Sequence, residues 1–160
     1  MKNSGFTVTE LLVSIAIFAI LLFIGIPSYQ GLSESGNLVS STNGMIGAFN
    51  YARIEAVKRG NTVQLGQLDG SSWTGGIVAW VDLDADGVRD SGEELRLWKG
   101  LASGSTVDSV HNRSAFAFRA SGEVDNDDEL TICDNRTGEE GRKISILTSG
   151  AVIAEKVTCG

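Results

Sequence analysis

Asp82, Asp84, Asp86, Asp90 and Glu93 stand in the order D-x-D-x-D-G-x-x-D-x-x-E, the ligand spacing of a calcium-binding loop. In such a loop alternate short carboxylates turn inward and Gly87 permits the sharp bend. The Val88 carbonyl supplies a further oxygen, and Glu93 can bind through both of its own. Arg89 departs from the pattern, which usually carries an apolar residue there. The flanking runs IVAWV and LRLW read as strands, so the expected frame is a β-hairpin and not a helix–loop–helix. The plain alternative is a polar hairpin whose acids are solvated and whose spacing reflects Asx-turn chemistry.

Another acid stands apart. Glu10 borders the long apolar run at residues 11–26, LLVSIAIFAILLFIGI, just after MKNSGFTVT. A secretory signal places its small residues after the apolar core, whereas Gly5 comes before it. A carboxylate at the edge of a lipid-buried turn is costly, so an ordinary anchor has no use for Glu10. A compensating cation is required.

Other reactive side chains are sparse. His111 is the only histidine among 160 residues, and no activated serine or cysteine motif is present, so the sequence argues against an enzyme. Cys133 and Cys159 lack metal-ligand spacing. In a head facing the periplasm they read as one disulfide, with two unrelated buried thiols as the alternative. Arg136, Arg142, Lys143 and Lys156 fall in the C-terminal quarter and are the candidates for phosphate contact with DNA. Glu139, Glu140 and the formal charge of −7 oppose a general polyanion surface.

These groups need a frame. From residue 6 the pattern is helical, clear over 6–26 and 38–59 and weakened between by Gly31 and Gly36. Pro27 predicts a kink, and Gly60 after Lys58 and Arg59 predicts the stop. Tyr29, Leu32, Ser35, Val39, Thr42, Ile46, Phe49 and Arg53 keep a three/four spacing, broadened by Leu38, Met45, Ala52, Ala56 and Val57. The period then changes to two. Short runs at 62–68, 76–81, 94–99, 115–119, 130–133, 143–148 and 151–154 read as strands, with a tight hairpin at Ser149-Gly150. Trp80 and Trp98, on the two arms of the acidic hairpin, are expected as cross-strand partners on one face. The expected architecture is α+β, a long helix whose second half packs on an antiparallel sheet.

Lys2, Gly5, Phe6, Thr7 and Glu10, leading into an apolar helix, resemble the processing site of type IV prepilins; Val8 and Thr9 replace the more usual Leu-Ile. The resemblance implies a five-residue leader (1–5) cut by prepilin peptidase between Gly5 and Phe6. It also implies methylation of the new Phe6 amine, a transmembrane and filament-core helix (6–27), and a remainder (28–160) forming the amphipathic half-helix and head. In assembly Glu10 would pair with the Phe6 amine of a neighbouring subunit and set axial register.

Over the rest of the chain, NYARIEAVKRGNTV, GIVAWVDLDADGVRDSGEELRLW and TICDNRTGEEGRKISILTSGAV resemble the GspH/FimT family of minor pilins and pseudopilins. That likeness implies the type IV pilin fold with a C-terminal Cys133–Cys159 disulfide. The implied partners are other minor and major pilins, the inner-membrane assembly platform and a tip adhesin. It places the subunit in the inner membrane with its head in the periplasm before assembly, and in a surface pilus afterwards. Within the family the expected role is to prime pilus assembly and link the tip complex to the shaft. Some relatives serve type II secretion pseudopili instead. Others bind DNA in natural transformation, and Gly141-Arg142-Lys143 resembles the basic motif of those members.

Overall fold

The apolar run and the amphipathic stretch after it form one helix, α1, Val8–Arg59. A computed structural model describes residues 7–84, 88–102, 104–136, 138 and 140–159, leaving aside the side chains of Pro27, Ser28, Gln30 and Glu140. Helical structure continues through position 27 and through 28–37. The expected kink rests on the Pro27 ring, which lies outside the described side chains. At the other end Gly60 takes φ 65°, and the Asn61 N–H donates to the Ala56 carbonyl at 3.3 Å. This is the glycine stop expected after Lys58-Arg59.

The chain divides into two compact units, residues up to Gly36 and Asn37–Gly160. In the first, the large apolar side chains from Leu11 to Ile26 are exposed, and Phe23 reaches 84%. The stretch is long and apolar enough to cross a membrane, and none of it is buried.

In the second unit α1 buries Leu38, Thr42, Met45, Ala48, Phe49, Ala52 and Ala56. The stripe is therefore turned relative to the expectation. Val57 is exposed in this unit, and Tyr29 and Leu32, in the first, are 73% and 72% exposed. Ala48, Ala52 and Ala56 are fully buried at packed positions of this stripe, which apolar periodicity alone did not distinguish.

Two four-stranded antiparallel sheets replace the single sheet expected. The first has the order β3 (Glu94–Lys99), β2 (Gly76–Trp80), β1 (Val63–Gln67), β5 (Ala115–Phe118). The second runs β4 (Thr106–Ser109), β6 (Asp128–Cys133), β7 (Glu140–Ile146), β8 (Val152–Thr158). The sequence reading missed β4: TVDS is a half-exposed edge strand without an apolar face to announce it. The hairpin between β7 and β8 is present, with Gly150 at φ 75° and its N–H donating to the Leu147 carbonyl at 2.7 Å. Trp80 and Trp98 are not cross-strand partners. Trp98 stands opposite Ile77 and Trp80 opposite Glu94, with a bulge between Ala79 and Trp80. Trp80 stands three positions beyond Ile77, an odd step along β2, so the two indoles leave opposite faces.

Phe49 is the centre of the core. Its ring meets Phe116 edge-on at 5.2 Å and lies 6.3 Å from both Trp73 and Phe118. Leu130, Ile132, Ile144 and Ile146 bring the second sheet to the same cluster. The helix thus holds both sheets; the acidic candidates lie on the β2–β3 loop, while Arg142 and Lys143 lie on β7 and Lys156 on β8.

Candidate functional site

At the start of α1 the Glu10 carboxylate is already engaged. Glu10 Oε2 accepts from the Thr7 N–H at 3.0 Å and from the Thr7 hydroxyl at 2.8 Å, while Thr7 Oγ1 accepts from the Glu10 N–H at 3.2 Å. This reciprocal arrangement is a capping box. Gly5 and Phe6, the residues of the proposed cut and methylation, lie outside the described residues.

The acidic loop joins β2 to β3, so its flanks are strands as expected. Glu93, 5% exposed, organises it. Its Oε1 accepts from the Leu83 N–H at 2.7 Å and its Oε2 from the Asp90 N–H at 2.9 Å. Asp82, Asp84 and Glu93 each offer an oxygen within 4.8 Å of the others, a set of donors suited to a hard cation. Asp86 and Gly87 lie outside the described residues. Asp90 contributes its backbone to Glu93, and Val88 is exposed. Arg89, the misfit in the motif, folds back: Nη2 donates to the Leu68 carbonyl at 3.1 Å and Nε lies 3.4 Å from Glu94.

The four basic candidates do not converge on one patch. Arg136 is held by Asp134, with Nη2 to Oδ2 at 2.6 Å, and this guanidinium keeps the Asp134 carboxyl below its usual 3.8. Lys143 pairs with Glu155 at 2.7 Å and with Glu129 at 3.4 Å. The Glu155 bond foremost raises its pKa above 10.5. Arg142 and Lys156 face each other across β7 and β8. Arg142 and Lys143, being consecutive in β7, leave opposite faces.

Cys133 and Cys159 form the disulfide, Cα to Cα 5.9 Å, fastening the end of β6 to the C-terminus. Gly141 lies beneath it. A Cβ there would stand 2.5 Å from Cys159 Sγ and 3.0 Å from Cys133 Sγ. The glycine of the Gly-Arg-Lys motif is thus required by the cross-link.

Two groups escaped the sequence reading. Arg53 leaves the helix to bind two turns, and a buried Asp128 gathers Ser109 and His111. Arg53 stood in the expected stripe but gave no sign of its target, since its acceptors are backbone carbonyls 69 and 96 residues away.

A long N-terminal helix, the second half of which packs on antiparallel sheets closed by a C-terminal disulfide, is the type IV pilin fold. Comparison with known proteins agrees. Residues 41–150 match the family described as Type II transport protein GspH, and residues 1–26 match the prokaryotic N-terminal methylation motif. The type IV minor pilin FimU of Pseudomonas aeruginosa (strain PAO1) is 25% identical with a TM-score of 0.67, over 78% of this chain and 92% of that one. The minor pseudopilin EpsH from the Type 2 Secretion System of Vibrio cholerae shares the fold, at 17% identity and TM-score 0.53, over 73% and 94% of the two chains. No protein of curated function matches the chain. The chain belongs to the GspH family of minor pilins and pseudopilins.

Proposed function

We propose that this chain is a minor type IV pilin that primes pilus assembly and links the tip complex to the shaft. The observation that carries the reading is an exposed, membrane-length helix bordered by Glu10 and joined to a head similar to that of FimU. Prepilin peptidase cuts between Gly5 and Phe6 and the Phe6 amine is methylated, in keeping with the N-terminal motif match. The helix first holds the subunit in the inner membrane, head in the periplasm, and then exchanges lipid for the helices of other pilins. A carboxylate and an amine are each costly in an apolar filament core, but paired they form a charge-assisted contact that fixes axial position. Until then the Thr7 capping box supplies Glu10 with two donors.

Glu10→Ala tests this assignment. The variant is processed normally but is depleted from sheared filaments; incorporation equal to wild type refutes the pairing role.

A second reading concerns calcium at the β2–β3 loop, favoured by the convergence of Asp82, Asp84 and Glu93. Calorimetry on the head, residues 37–160, then shows heat on calcium addition and a raised melting temperature. Neither signal at millimolar calcium disposes of it.

A further inference from the structure

A cleft of about 360 Å³ opens in the head between residues 67–73, at and after the end of β1, and residues 107–114, which run from β4 to β5. Gln67, Asp108, Asn112 and Ser114 line it, and none of their side chains hydrogen-bonds another described residue. Apolar surface is scarce there, since Trp73 is 2% exposed and Val107 is half-buried. One wall is held in shape by a group outside the cleft. Buried Asp128 accepts from the Ser109 hydroxyl and from the His111 N–H at 3.2 Å. Ser109 in turn accepts the Arg113 N–H through Oγ at 2.8 Å and the Asn112 N–H through its carbonyl at 3.2 Å. From the opposite wall Trp73 Nε1 donates to the Arg113 carbonyl at 2.8 Å. So fastened, Asn112 takes φ 53°, the one positive φ outside glycine among the described residues. A left-handed backbone at a residue with a side chain persists where its surroundings over-determine it, and such positions gather at ligand sites.

We propose that this cleft binds a neutral saccharide, a sugar unit of a glycan met by the head. Its charges select against ions: Asp108 and Arg113, both in the lining, balance each other. Its lack of apolar surface selects against an acyl chain or an apolar peptide side chain. A sugar supplies what remains. Each ring hydroxyl both donates and accepts, which suits a carboxylate that only accepts beside amides that do both. The volume is that of a small-ligand site. Because the Asp128 chain of hydrogen bonds fixes the wall before any ligand arrives, little ordering is lost on binding. The role goes beyond assembly and does not depend on Glu10.

The full-length protein, in a detergent without a sugar headgroup, is titrated by calorimetry with glucose, galactose, mannose, N-acetylglucosamine and N-acetylgalactosamine. At least one sugar saturates the protein with a Kd in the millimolar range or tighter. Asp108→Ala and Asn112→Gly each weaken that binding by about tenfold or more, the scale of one hydrogen bond lost to a bound polar ligand. Both variants keep the wild-type melting temperature, because Asp108 is exposed and glycine adopts the left-handed backbone at 112 freely. Thr106→Ala, on the same strand but outside the cleft, leaves binding unchanged. Saturation by none of these sugars overturns the proposal, as does saturation that neither cleft substitution alters. Saturation by a tri-serine peptide and by no sugar assigns the cleft to peptide and overturns the saccharide class.

Discussion

The guanidinium of Arg53 donates through Nε to the carbonyl of Gly122 at 3.1 Å, tying the helix to a turn 69 residues away. Nη2 donates to the Ser149 carbonyl, also at 3.1 Å. One side chain therefore fastens the turn between β5 and β6 and the β7–β8 hairpin to α1. Gly150 must be glycine here, since at φ 75° a Cβ would collide with the Gly122 carbonyl. Arg53→Ala is expected to destabilise the head by about 2–3 kcal/mol, the scale for losing hydrogen bonds to a charged group. Urea denaturation measures it, and a loss under about 0.5 kcal/mol, the level of an ordinary surface change, contradicts the clamp.

The disulfide and Gly141 form a unit. Reduction opens a loop of 26 residues and should cost about 3.5 kcal/mol on the chain-entropy model. Gly141→Ala puts a methyl group where the two sulfurs lie. The expected outcome is a raised fraction of free thiol and a lowered melting temperature, read by thiol labelling and calorimetry. Full oxidation at unchanged melting temperature contradicts it. A loss of DNA affinity without a change in thiol content would assign the motif glycine to binding instead.

Asp128 gives the head an acid-sensitive point. Its carboxylate is buried and accepts from the Ser109 hydroxyl, the Glu129 N–H at 2.8 Å, His111 Nδ1 at 3.0 Å and the His111 N–H at 3.2 Å. Burial alone would raise its pKa. The donors together outweigh burial and hold it below the usual 3.8. A carboxyl depressed in the folded state stabilises above the unfolded value, and that contribution is lost as pH falls through the folded one. Asp128→Asn should therefore cost about 2 kcal/mol at neutral pH, and the gap to wild type should narrow below about pH 4. Denaturant titrations at several pH values check this. A gap that stays constant into acid contradicts the linkage.

Much of the fold was legible because it follows from period and punctuation. The change from helical to alternating pattern at Asn61, the Gly60 stop and the Ser149-Gly150 turn are local signals with a local cause. What stayed hidden depends on distant neighbours. Strand β4 is an edge strand with little apolar content, and the bulge at Ala79/Trp80 decides which residue of β3 stands opposite Trp80. Arg53 and Asp128 bind partners that no spacing brings together. The acidic motif was visible as a set of ligands. That Glu93 also closes the loop through two backbone N–H groups was not, because it requires the Leu83 and Asp90 backbones to turn inward. The basic quartet read as one group in sequence, yet strand alternation and local acids disperse it.

The central claim is that the apolar half of α1 is kept in the mature protein and becomes an assembly element. Mass spectrometry of the chain purified from sheared filaments tests it most directly. The expected species begins at Phe6, carries one added methyl group, and contains the whole of residues 11–26. A mature chain beginning beyond residue 26 would contradict the account.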